Sequence, residues 1–523
     1  TEAGLSATIE RSDVDISGSL TVSAEARSLI DAEVAATSVA IGASSGTGIA
    51  VAVGGAVSLN LINRDVIANI NDSNQILASD ISVKSENISA LDSRTGAAAI
   101  SGALGNTGVA ISVGLALAFN EVDADAKALV SDVGRLESRT GAIIIRAIQA
   151  GTPLATVDLT DHGALSAAAL NGAAEQVTDD PETEETDEFV DDLAADRAVL
   201  EALAGALKAE GIDLAAGDAL LTEDSQDEDD RPFALAVIDP GKAWLLTAQD
   251  GRSYQLRIAD SDMAPNTLEI SAYTINAVAT AASVSAAVAG STGVAVSGGA
   301  AVVDNRVSGD TLAQVTRSSL KSAGRFDLSA SQTAGINAGV LTASLAVGLG
   351  GSTGVGASIG VAVAHNRLGN GTDDRAQVRA RILNSALDIT GQSEIAARSA
   401  QQISATVFSG SAAIAGGGSV GIGAAGSGVD VRNRIHGEVS ALISGRLAEE
   451  SVDSPLIETN GLNLTAEDAS RISAFAGAAS LAAGLGGSTG GALAIGASIA
   501  RNSIDVVVDA RLEDLGGTDG KSA

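Results

Sequence analysis

One spacing governs the whole chain. A short glycine turn recurs six times, as SSGTG closing at Gly48, GNTG at Gly108, AGSTG at Gly293, GGSTG at Gly354, GGSVG at Gly421 and GGSTG at Gly490. Each is followed 12 residues later by an asparagine: Asn60, Asn120, Asn305, Asn366, Asn433 and Asn502. A fixed offset between a turn and a polar residue gives every unit the same internal register, so the units are expected to stack on one another. Consecutive asparagines lie 60, 185, 61, 67 and 69 residues apart, which sets a unit of about 60 to 70 residues and places extra chain in one interval. Residues 1–28 match the second half of a unit and the chain ends within one after Arg511, so a segment of a longer array is expected.

Within a unit the period is two. After Gly354, Val355, Ala357, Ile359, Val361 and Val363 alternate with Gly356, Ser358, Gly360, Ala362 and Ala364, a strand with one bulky and one tiny face. A matching segment, LTASLAVGLG at 341–350, precedes the turn, so the pair reads either as a long β-hairpin or as two solenoid rungs joined at a tight corner. The glycines are expected to supply positive φ at that corner. The asparagines read as turn residues tolerant of the left-handed region, capping backbone or stacking in a ladder, rather than as a ligand site. The arginines that follow three of them, Arg306, Arg367 and Arg434, read as solvated edge charges. The remainder of each unit, such as VRARILNSALDITGQSEIAARSA at 378–400, has the short β-branched runs and small turns of parallel β coils.

These features predict an all-β chain, an elongated β-solenoid or stacked β-hairpin repeat array, carrying one inserted α+β module. The expected boundaries are 1–151 for the first stretch of array, 152–268 for the insert and 269–523 for the second stretch. The insert opens with an acidic run at 178–192, continues through an Ala-rich helical pattern of Leu193, Val199, Leu200, Leu203, Leu207 and Ile212, and passes a second acidic run at 223–230. Strands with an Asp250-Gly251 turn follow. Trp244 and Tyr254 lie there, in a chain only 2% aromatic; they are candidates for ligand contact, weighed against a role in the insert's own core.

Composition narrows the chemistry. With so few aromatics, 45% hydrophobic residues and 60 glycines, the core must be built from Ala, Val, Ile and Leu in thin layers. A formal charge of −34 argues against nucleic acid. Cysteine is absent, which removes disulfides, thiol nucleophiles and cysteine-ligated metals. The histidines His162, His365 and His436 sit in unrelated settings and no HExxH, GxSxG or P-loop pattern occurs, so no catalytic residues and no enzyme are expected. The nearest arrangement to a β-helix polysaccharide lyase is Asp373-Asp374-Arg375. Calcium is a candidate ligand of acidic turns, at GNGTDD (369–374) or DNRVSGD (304–310), but no specific metal residues stand out. The uncharged stretch 476–500 has period two and a turn in its middle, so membrane insertion is not expected, with an outer-membrane β-barrel as the rival.

The GGSTG turns, the Ala/Gly/Val strands ending in Asn-Arg, and the S-x-L-x-[IV]-x-[AS] coils resemble the repeats of filamentous-haemagglutinin-like and leukotoxin-type filamentous adhesins over roughly 1–150 and 270–515. The resemblance implies a secreted, non-enzymatic structural segment of a bacterial cell-surface adhesin or fibre, a stalk for attachment. A glycan or protein receptor would bind through the insert. A self-associating sheath subunit is the alternative, and a β-helix glycan-active enzyme a second one. No cofactor is implied.

Overall fold

The computed structural model describes residues 4–151, 267–370, 375–445 and 457–515, and between 151 and 267 the pieces 153–159, 165–166, 168–170, 199, 202–208, 233–239, 243–248 and 253–258. The first stretch of chain forms β1 (Gly4–Glu10), β2 (Val14–Asp15), β3 (Leu20–Ala43), β4 (Thr47–Ala78), β5 (Ile81–Ser138) and β6 (Ile143–Ala150). The middle contributes β7 (Pro153–Asp158), β8 (Phe233–Asp239), β9 (Ala243–Ala248), β10 (Ser253–Ile258) and β11 (Thr267–Ala272). The remainder forms β12 (Ile275–Ser308), β13 (Thr311–Thr316), β14 (Ser319–Ser322), β15 (Phe326–Gly350), β16 (Thr353–Leu368), β17 (Ala376–Leu383), β18 (Ala386–Gly417), β19 (Val420–Ser444), β20 (Ile457–Asp468), β21 (Arg471–Gly486) and β22 (Thr489–Glu513). Seventeen of these strands, all but β7 to β11, belong to one sheet.

Every described pair in that sheet is parallel and joins one repeat to the next at the same register. Asn60 opposes Asn120, Asn120 opposes Asn305, Asn305 opposes Asn366, Asn366 opposes Asn433, and Asn433 opposes Asn502. Parallel partners need a long connection, and about 60 residues of chain separate each residue from its partner on the next strand. A stacked hairpin array would have paired the two arms around each glycine turn antiparallel. Instead both arms pair outward to neighbouring repeats, and within a repeat they meet face to face.

That meeting explains the two-faced strands. The alternation places Gly356, Ser358, Gly360, Ala362 and Ala364 inside and turns Val355, Ala357, Ile359, Val361 and Val363 toward the surface, with Ile359 61% exposed. Across the interior, Ser344 Oγ lies 2.7 Å from Ser358 Oγ, and Ser283 Oγ 2.7 Å from Ser297 Oγ. A cluster made only of alanines, Ala50, Ala103, Ala110, Ala287, Ala295 and Ala346, fills the space near the turns. Each repeat thus extends a flat fin, with an outgoing arm, a glycine turn and a return arm. A buried alanine methyl contributes only about 0.8 kcal/mol, so close approach and the continuous backbone ladders carry most of the fin's cohesion. The larger aliphatic core lies at the base, where Val66, Ile70, Ile76, Val130, Leu136, Ile145, Phe326 and Ile395 pack together.

The 185-residue interval does not interrupt the stack. β5 pairs with β12 from Ile275↔Leu91 to Ser308↔Asp123, and β6 pairs with β15 from Phe326↔Ile143 to Thr333↔Ala150. The chain leaves after β6, builds an antiparallel five-stranded sheet in the order β7-β11-β10-β9-β8, and re-enters at β12. Residues 202–208 are helical, with Leu203 and Leu207 fully buried and Val199 nearly so. Both acidic runs, the Asp250-Gly251 turn, Leu193, Leu200 and Ile212 lie outside the described residues.

Candidate functional site: an asparagine ladder beneath an apolar fin

The six asparagines form one continuous column. Asn60 Nδ2 donates to Asn120 Oδ1 at 2.8 Å, Asn120 to Asn305 at 2.9 Å, Asn305 to Asn366 at 2.9 Å, Asn366 to Asn433 at 2.8 Å and Asn433 to Asn502 at 2.8 Å. The column suits an amide: its Nδ2 donates and its Oδ1 accepts on a short stem, so each copy hands a bond to the next, which an ionised carboxylate, an acceptor only, does not do. Asn305 and Asn366 are fully buried, so their bonds are made away from water. All six sit inside strands, not in turns, and none has positive φ. The left-handed conformation expected from the sequence is therefore absent there; side-chain pairing between strands is the reason for the residue type.

The glycine turns require a similar correction. None of Gly48, Gly108, Gly293, Gly354, Gly421 and Gly490 has positive φ. What demands glycine is crowding by backbone. A Cβ on Gly354 would lie 2.1 Å from the Gly416 carbonyl oxygen of the next repeat and 2.6 Å from that of Gly348 on the facing arm, and on Gly421 it would lie 2.1 Å from Leu485 O. Gly48 and Gly293 meet carbonyls at 2.2 Å, Gly490 meets one at 2.7 Å, and Gly108 is looser at 3.2 Å.

The positive-φ corners lie elsewhere and escaped sequence reading. Arg11, Asp72, Asp132, Arg317, Asn384 and Asp514 have φ between 46° and 55°. They recur at the repeat spacing, but three residue types share the position, which hides it. The only cue is a serine just beyond several of them, whose hydroxyl caps a neighbouring repeat: Ser318 N donates to Ser385 Oγ at 3.1 Å, Val133 N to Ser318 Oγ at 3.1 Å and Ser12 N to Ser73 Oγ at 3.2 Å. A second buried amide column was equally hidden: Gln401 Nε2 donates to Gln332 Oε1 at 3.0 Å, and Gln332 Nε2 to Gln149 Oε1 at 2.8 Å.

Charges gather where the return arm leaves the fin. Arg367 Nη2 donates to Asp304 at 2.9 Å, Arg432 pairs with Asp430 at 2.8 Å, and His365 lies between those two aspartates at 3.9 and 3.6 Å. Arg306 reaches Glu121 at 3.2 Å, and Arg434 approaches His436 Nδ1 at 3.5 Å. His436 in turn contacts Asp505 at 3.0 Å. On a neighbouring face, Arg379 grips Glu438 through both nitrogens at 3.1 and 2.9 Å, which holds the Glu438 carboxyl below its ordinary value, while burial lowers Arg381 to about 10. Arg367–Asp304, Arg306–Glu121, His436–Asp505 and Arg379–Glu438 are cross-strand pairs, whereas Arg432–Asp430 joins two residues of one strand.

No family model, curated protein or solved structure matches this chain. The remaining candidates rest on geometry alone. Trp244 is the cross-strand partner of Leu256, and Tyr254 that of Leu246 and Ala272, so both occupy register positions on the face that carries the buried Leu256, Leu268 and Ile270. In the stretch 304–310, Asp310 serves as a cap: its Oδ1 accepts from Asn370 Nδ2 at 2.8 Å and from Gln377 N at 3.0 Å. Among the described residues no group of three or more His, Asp and Glu side chains gathers as a metal site would require. His162, Asp373 and Asp374 lie outside the described residues.

Proposed function

We propose that the chain is a non-enzymatic structural segment of a long bacterial surface adhesin or fibre, a β-solenoid stalk that spaces and displays the module inserted at 152–268. The observation that supports it most is the unbroken register: five successive asparagine bonds and continuous parallel pairing join six repeats, including the two separated by 185 residues. A stack held by backbone bonds between repeats gains length by adding repeats, and its acidic surface keeps it dispersed. Secretion to the cell surface and recognition of a glycan or protein receptor through the insert belong to the same reading.

The test compares the full chain with a variant whose residues 152–268 are replaced by a short Gly/Ser linker, in glycan-array and cell-binding assays, with small-angle scattering to report elongation. An elongated particle that binds only with the insert present supports the adhesin stalk. A compact particle, or glycan turnover by either protein, overturns it.

A further inference from the structure

The fins present a surface that the stalk reading leaves unexplained. Their bulky side chains point outward on both sides, and no charged residue occurs from 95 to 120, 275 to 303, 328 to 364, 399 to 429 or 472 to 500. On the outer face of the outgoing arms, parallel register lines equivalent residues into rows along the stack. Thr37, Ala98, Ala282, Ala343, Gly410 and Ala479 make one row, small in every repeat. Two residues nearer the turn, Val39, Ile100, Val284, Leu345, Ala412 and Leu481 make the next row, raised in every repeat except at Ala412. The small row forms part of an open trough of about 310 Å³ whose walls include Ala98, Ala282, Leu341 and Ala343.

We infer that this outer face of the outgoing arms is the docking surface for a second copy of the chain. A ridge lying next to a trough is self-complementary: a two-fold axis lying in the plane of the face, parallel to the two rows and midway between them, seats each copy's ridge in the other's trough. The size is appropriate, since six strands about 4.8 Å apart and about nine residues rising about 3.3 Å each give a face of roughly 850 Å², close to the about 800 Å² per partner of a stable interface. Such an area exceeds the largest apolar patch of an ordinary monomer. Charge does not oppose it, because the −34 of the chain lies off this face. The inference is independent of where the protein is displayed or what its insert binds.

Sedimentation equilibrium of the full chain at micromolar concentration, alone and with phosphatidylcholine vesicles, tests it. The expected result is a dimer whose dissociation constant rises at least tenfold in Ile100→Lys, while Ile359→Lys, on the opposite outer face, leaves it unchanged. Because the native chain has no cysteine, Ala282→Cys supplies a second readout that does not depend on the lysine variants folding. A short bismaleimide should link two copies through Ala282→Cys and leave Ile359→Cys monomeric. A monomer at every concentration, equal weakening by Ile359→Lys, absence of cross-linking at position 282, or vesicle flotation without a dimer would each overturn the proposal, the last in favour of a lipid partner.

Discussion

Asn120 and Asn305 lie 185 residues apart in sequence, yet the amide of one donates to the amide of the other across 2.9 Å. The bond is of the same length and geometry as those joining repeats only 60 to 69 residues apart. Position in the column, and not separation along the chain, decides the contact, and that makes the column the natural place to probe how the stack is held together.

Removing an amide from the middle of the column leaves an orphan on each side. Asn366→Ala strips Asn305 Nδ2 of its acceptor and Asn433 Oδ1 of its donor, at a cost on the order of 3 kcal/mol. At the end of the column, Asn502→Ala breaks one partly buried bond and costs about 1 kcal/mol. Urea unfolding followed by far-ultraviolet circular dichroism should rank the midpoints wild type, then Asn502→Ala, then Asn366→Ala. Equal midpoints for the two variants would show that the column contributes nothing as a connected network.

Glycines in the fin should divide sharply by what lies above them. Gly354→Ala forces a methyl to within 2.1 Å of a carbonyl oxygen and should lose at least about 2 kcal/mol. Gly102 has nothing within 4 Å of where a Cβ would stand, so Gly102→Ala should gain about 0.5 kcal/mol by restricting the unfolded chain. Thermal melting of the two variants is sufficient; a Gly354→Ala protein as stable as wild type would refute the crowding account.

At the corner, Asn384 holds φ at 46°. Asn384→Val places a β-branched residue in the left-handed region and should destabilise by about 1–2 kcal/mol, whereas Asn384→Gly should cost little. Indistinguishable denaturation curves for the valine and glycine variants would mean that the corner relaxes.

Acid should weaken the stack through paired carboxylates. Arg379 beside Glu438 and Arg317 beside Asp132 hold both carboxyls below their ordinary values. A depressed folded pKa gives stability that is complete above the unfolded value, about 4 for these groups, and that disappears as pH falls through the folded one. The melting temperature should therefore be level from pH 7 to about 5 and fall below about 4. Both pairs are solvent-accessible, so each contributes no more than about 1 kcal/mol. The double variant Glu438→Gln, Asp132→Asn should show a shallower acid fall; an unchanged profile would assign the fall to other groups.

The sequence exposed whatever repeats with unchanged residue type. Period two around Gly354 and the 12-residue offset to asparagine were both readable, because small residues mark one face of each strand and a single residue kind marks each turn and each rung of the column. The direction in which the strands face was not. Hydrophobic residues are ordinarily assigned to the interior, but here Ile359 looks outward because only Gly356, Ser358 and Gly360 are small enough to sit between two backbones. The left-handed corner stayed hidden because Arg317 and Asn384 share a conformation without sharing chemistry. The glycine turns were found for the wrong reason: glycine signals both positive φ and close approach, and sequence cannot separate the two.

The backbone bonds between repeats run along the stacking direction, so a pull from one end of the stack to the other loads them a single repeat at a time. Under tension such a chain yields stepwise, each event releasing the 60 to 69 residues between equivalent asparagines, roughly 200 Å of extended chain. The repeat that carries the insertion holds a much longer reserve, placed between Asn120 and Asn305. A stack built this way gives ground in measured lengths before it breaks, and its largest reserve of slack lies in the interval between Asn120 and Asn305.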